Sequence, residues 1–158
     1  MKRNLIVRSL ALTISLLLGF LPVQAAERPF SWNGSGSSTF FTDASGNLAA
    51  NVTVSGTATY LGLWTATGTV HFTPDPDPSH PGRFLSSAAL PVIAANGDTL
   101  NIELHGDLDP AAGMDTGPIQ FVGGTGRFAG ASGSGQFVVE LNPATGAFKT
   151  TVVGKINF

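Results

Sequence analysis

The sequence contains no cysteine, so its fold must stand on packing and hydrogen bonds, without disulfide staples or thiolate metal ligands. Charge is almost as scarce. Only 11% of the residues are Asp, Glu, Lys or Arg, too few to coat the solvent faces of ordinary amphipathic helices. No stretch after the N-terminal segment repeats its apolar residues at helical spacing. The eight cations are outnumbered by ten carboxylates, which argues against nucleic acid as a partner, because that binding is driven by Lys and Arg contacts to phosphate. Also missing are the G-x-S-x-G nucleophile elbow, the phosphate-binding P-loop and the paired spacings of zinc ligands.

Near the start, Lys2, Arg3 and Arg8 precede an apolar run from Leu10 to Leu21, and Pro22-Val23-Gln24-Ala25 follows. A cationic patch, a short apolar core and small residues at Val23 and Ala25 form the pattern of a secretory signal cut after Ala25. The run is short for a bilayer span of about 20 residues. The expectation is therefore a signal peptide over 1–25, a single domain over 26–158, and export to the periplasm or beyond the cell. Removing 25 of the 158 residues leaves 133, with five cations against ten carboxylates. That length supports one domain with a real core.

What fills the rest is Gly, Thr, Val, Ala and Phe in short alternating runs, separated by turn residues. Strands are expected over Phe30–Phe41, Leu48–Tyr60, Leu63–Phe72, Arg83–Ile93, Thr99–Leu108, Pro118–Val122, Gly135–Leu141 and Ala147–Phe158. In the second, Val52, Val54 and Ala58 alternate with Thr53 and Ser55; in the third, Trp64, Ala66, Val70 and Phe72 share a face. Asp43-Ala44-Ser45-Gly46-Asn47 and Asn96-Gly97-Asp98 read as turns. Pro74 to Gly82 carries four prolines and reads as a stiff loop. Asp109 to Gly117 reads as a longer loop. Eight short strands with mostly hairpin links point to an all-β, antiparallel barrel or a sandwich. Closure would remove exposed edges that this charge-poor chain has few means of guarding.

The segment Gly123-Gly124-Thr125-Gly126-Arg127-Phe128-Ala129-Gly130-Ala131-Ser132-Gly133 is the most distinctive. Gly124 to Ala129 matches G-x-G-x-x-G/A in form. The dinucleotide fingerprint, however, opens a helix and needs an acidic residue about 20 positions later. Here Gly130, Ser132, Gly133 and Gly135 would break that helix, and the next acid, Glu140, comes too soon. No cofactor is expected, and a structural turn topped by Phe128 is the simpler reading. With its flanking strands, the segment resembles the signature of the allene oxide cyclase and dirigent β-barrel superfamily. Leu61-Gly62-Leu63-Trp64-Thr65-Ala66-Thr67-Gly68-Thr69-Val70 and Ala95-Asn96-Gly97-Asp98-Thr99-Leu100 resemble segments of its bacterial branch, whose members are often short and exported. The resemblance spans about Ala49 to Phe158. It implies an eight-stranded antiparallel barrel, often a homotrimer, with an apolar interior. Plant members cyclise an unstable fatty-acid epoxide or steer the coupling of phenoxy radicals. Their catalytic residues have no counterpart in the matching segments.

The candidate catalytic groups are Glu103 and Glu140, both mid-strand. Pointed into a barrel, either would have a raised pKa suited to acid/base work. Alternation favours the opposite, with Leu100, Ile102 and Leu104, and Phe137, Val139 and Leu141, turned to the core. His71 and His105 are lone strand histidines. His80 lies among Asp75 and Asp77, but this loop lacks the glycine and terminal Glu of a calcium site, so no metal is expected. Three functions follow: a binder of an apolar or aromatic small molecule, a cofactor-free cyclase or isomerase, and a structural protein without a ligand. The C-terminal run Thr150 to Phe158 also suits a strand of a small outer-membrane barrel, although one Tyr and two Trp make poor aromatic girdles.

Overall fold

A computed structural model describes residues 26–158; the expected signal peptide over 1–25 lies outside the described residues. The alternating runs form strands because β-branched and aromatic side chains fit a pleated surface with one buried face. Eight result: β1 (Arg28–Thr42), β2 (Leu48–Ala58), β3 (Gly62–Pro74), β4 (Phe84–Ala94), β5 (Thr99–Asp109), β6 (Met114–Gly124), β7 (Ser132–Leu141) and β8 (Ala147–Asn157). Each pairs antiparallel with its neighbour in sequence, and β8 closes on β1, so the sheet is a closed up-and-down barrel without a free edge. The β3–β4 ladder skips from Ala66↔Val92 to His71↔Ser87, around Pro91, which has no N–H to give.

Register decides which residues face inward. On β1 these are Phe30, Trp32, Gly34, Gly36, Ser38 and Phe40. Pairing Trp32 with Ala58 and Val152 sets the even-numbered residues of β2 and β8 inward as well. Outward positions on β1 to β3 are mostly Ser, Thr and Asn, such as Ser35, Thr53, Ser55, Thr65 and Thr67. A membrane barrel has the reverse arrangement, with an apolar band outside and a polar interior. Inward glycines make room for large rings. At Gly34 a side chain would strike the Trp64 ring, and at Gly36 the ring of Phe148.

One end of the barrel is plugged. A 3-10 turn over Gly126–Phe128 folds across it and seats Phe128, fully buried, against Phe158, with the ring centroids 5.1 Å apart. Tyr60 meets Phe158 edge-on at 5.3 Å. Gly123 and Gly126 take φ of 86° and 55°, which glycine adopts without strain. This explains the glycine-rich segment as a reversal and a plug. No helix follows it, and every strand pair in the sheet is antiparallel, so the setting of a dinucleotide fingerprint is not there. Asp98 latches the turn: its Oδ2 accepts from Arg127 Nε at 3.1 Å and from Asn96 Nδ2 at 2.9 Å.

Two sequence-based boundaries shift by three residues or more. β7 begins at Ser132, not Gly135. β6 begins at Met114, so Met114 to Gly117 is strand and not loop. Asp115 and Gly117 hid it, since both residue types are depleted in strands and neither makes an apolar face.

Candidate functional site

Above the plug the lumen is packed. Phe30 meets Phe121 edge-on at 4.7 Å and Trp32 edge-on at 6.1 Å. Trp32 and Trp64 stand 5.0 Å apart at a tilt of 33° and form the floor of a cavity of about 100 Å³. Its walls come from all eight strands, among them Val54, Ala66, Val92, Ile102, Phe137 and Thr150. Phe40, Phe72, Leu108, Leu141 and Phe148 line it toward the other end, where the turns are the β1–β2, β3–β4, β5–β6 and β7–β8 connections. Phe40 is 38% exposed, so this end is not capped as the plugged end is.

The wall is almost wholly apolar, and Asp115 is the one ionisable side chain in it. Its carboxylate Oδ1 accepts from Ser86 Oγ at 2.9 Å. Gly106 supplies the notch: a side chain there would strike the Asp115 carboxylate, Ser86 Oγ and the Phe137 ring. Burial pushes the Asp115 carboxyl up to about 6; the Ser86 hydrogen bond opposes the rise and the charge of Asp107 adds to it. Near neutral pH this group is divided between a proton donor and an anion. Among the remaining polar groups, Trp32 Nε1 donates a long 3.4 Å bond to Thr150 Oγ1, while Trp64 Nε1 is buried without a partner.

Glu103 and Glu140, the sequence-based candidates, are both exposed on the outer surface. Neither enters the lumen, because the alternation that buries Ile102 and Phe137 turns the glutamates outward. They do not share a site. Glu103 lies beside His71, Ser87 and His105 in a shallow outer dish, while Glu140 lies beside Lys149 on another face. Asp115 was missed because it stood in a presumed loop. Its signal was its place between Met114 and Ile119, two residues from Gly117, with period-2 spacing to Ile119 and Phe121.

The proline loop collects the described residues best placed for a metal. Ligand atoms of Asp75, His80 and Asp107 lie within 4.8 Å of one another. Each already has a partner within the protein, although Asp107 Oδ1 is buried without one. His80 Nδ1 lies 3.0 Å from Asp75 Oδ2, and the Arg83 guanidinium donates to Asp107 and Asp109 at 3.1 Å each. These contacts fasten the loop to β5.

No protein-family profile and no curated protein matches this sequence. Solved structures do. The chain resembles a pterocarpan synthase dirigent protein with a TM-score of 0.59 at 14% identity, over 85% of this chain and 87% of the other. A second pterocarpan synthase dirigent protein gives 0.60 at 14% identity, over 84% of this chain and 95% of the other. The fold of this chain is the closed eight-stranded antiparallel barrel of the dirigent proteins.

Proposed function

We propose that the protein is an exported binder of a small, mainly apolar or aromatic molecule, from the bacterial branch of the allene oxide cyclase and dirigent superfamily. The supporting observation is the apolar cavity with a single protonatable carboxyl in its wall. Concave, largely apolar sites with a few placed polar groups are what small ligands use. Apolar walls supply the affinity, and Asp115 gives a guest hydroxyl a defined place.

Tryptophan fluorescence tests this directly, since both tryptophans of the chain line the cavity. Titration with phenol is expected to change the emission saturably. Val52→Phe, which adds a ring to the cavity wall, is expected to abolish that change while leaving the barrel folded by circular dichroism. A linear response in the parent protein would refute lumen binding. Native mass spectrometry checks the homotrimer that the superfamily resemblance implies, and fractionation of expressing cells checks export.

A second reading is favoured by the Asp115 carboxyl. A cofactor-free cyclase or isomerase would use it as the general acid, in place of Glu103 and Glu140, because a pKa near 6 keeps a protonated fraction at neutral pH. Asp115→Asn should then still give a saturable titration with phenol and lose all turnover. A turnover unaffected by Asp115→Asn would remove this reading.

A further inference from the structure

The floor of the lumen carries an unmet hydrogen-bond donor. Trp64 is 3% exposed, and its Nε1–H finds no acceptor. Nearly all buried polar groups in folded proteins are paired, and an orphaned donor is costly. The nearby hydroxyl is already engaged, since Thr150 Oγ1 accepts from Trp32. The remaining walls around the two indoles, including Val54, Ala66, Val92 and Ile102, offer no side-chain acceptor. At the same time the Trp64 ring faces the free space of the cavity. The lumen is therefore polarised along its axis. An unsatisfied donor lies at the tryptophan floor, and the Asp115 carboxylate, an acceptor when ionised, lies in the wall beyond it.

Resting on the lumen-binding reading above, we propose that the guest is an oxygenated one-ring aromatic whose own carbonyl or ether oxygen points to the floor and accepts from Trp64 Nε1–H. The surface of Nε1 is covered, so the indole adjusts to meet the guest oxygen, a side-chain change of the kind that commonly accompanies binding. A pure hydrocarbon fills the same apolar space and leaves the donor orphaned. An oxygenated guest removes that cost, and selectivity for oxygen over carbon follows from the difference.

The test uses two probes of nearly equal shape, acetophenone and α-methylstyrene, which exchange C=O for C=CH2. Isothermal titration at pH 8 keeps Asp115 ionised, so that it accepts and cannot donate to the ketone. The parent protein is expected to bind the ketone about tenfold more tightly than the alkene. Trp64→Phe is expected to bind the two equally. As a second readout on the parent protein, the two tryptophans give two indole N–H resonances. One of them should move downfield with the ketone and stay in place with the alkene. Equal binding of both probes by the parent, or a ketone preference that survives Trp64→Phe, would overturn the proposal and leave lumen binding standing. If neither probe binds the parent, the lumen reading falls and this proposal falls with it.

Discussion

The two halves of the barrel are built from the same alternating strands, yet they do opposite things with their interiors. At the plugged end, Phe30, Phe121, Phe128, Leu100 and Ile156 are all but completely buried and share one continuous core. Rings meet rings, and the 3-10 turn adds Phe128 as a stopper. Toward the other end the buried cluster shrinks to Ala50, Phe72 and Leu108, and a cavity takes the place of packing. A buried carboxyl sits in that half and none in the plug. Two aspartates show the contrast in electrostatic terms. Asp98, at the plug, is lowered by hydrogen bonds from Asn96 and Arg127. Asp115, in the lumen, is raised by burial. The plugged end holds the fold, and the other half gives up packing for space and a titratable group. Core positions carry stability through contact density, whereas sites tolerate voids and unpaired polar atoms.

The largest expected effect separates the two halves by packing. Phe128→Ala should cost about 4 kcal/mol in urea unfolding, as truncation of a fully buried aromatic does. Phe40→Ala, at a ring that is 38% exposed, should cost less than about 1 kcal/mol. Equal losses would break the comparison.

The two aspartates sharpen it through pH. The folded-state pKa of Asp115 is raised, so its stabilising contribution is complete below about pH 4 and is lost as pH rises through about 6. The decline amounts to at most roughly 3 kcal/mol. Asp115→Asn should remove that decline and be more stable than the parent at pH 7.5 in thermal melts. Asp98 works in the other direction. Its lowered pKa contributes stability above its ordinary value of 3.8, which is lost as pH falls through the folded-state pKa. Asp98→Asn should therefore be less stable than the parent at pH 7, with the deficit closing in acid. The same sign for both variants would show that the two sites are not electrostatically distinct.

The smallest expected effects belong to Glu103→Gln and Glu140→Gln. Both residues are exposed on the outer surface, so stability should stay within about 0.5 kcal/mol of the parent and phenol binding should not change. A loss of binding in either would move the site from the lumen to the outer face.

Most of the fold was legible from the chain. All eight strands, the β4–β5 hairpin turn and the stiff proline loop follow from alternation and turn chemistry, although the first residues of β6 do not, and the glycine-rich segment declared itself a reversal. The apolar faces of Glu103's and Glu140's strands also pointed inward as alternation favours. The site was far less legible. Asp115 sits on a strand whose inward positions at that end are Asp115 and Gly117, a pair with no apolar signal. Its raised pKa comes from burial inside the closed barrel, with the hydrogen bond from Ser86 on β4 opposing the rise and the charge of Asp107 on β5 adding to it. Trp64 was readable as a core residue, but its orphaned N–H was not, because hydrogen-bond satisfaction depends on atoms brought in by register.

Local pattern alone determined that this chain forms short antiparallel strands and buries one face of each, because side-chain period and turn residues act over a few positions. Only closure of the sheet decided what that buried face encloses. Joining β8 to β1 brought inward residues from all eight strands around one axis, with Phe128 filling one end and a void lined by Trp64 and Asp115 left beyond it. Free volume, desolvation and unpaired donors belong to that assembled interior, and no single strand carries them.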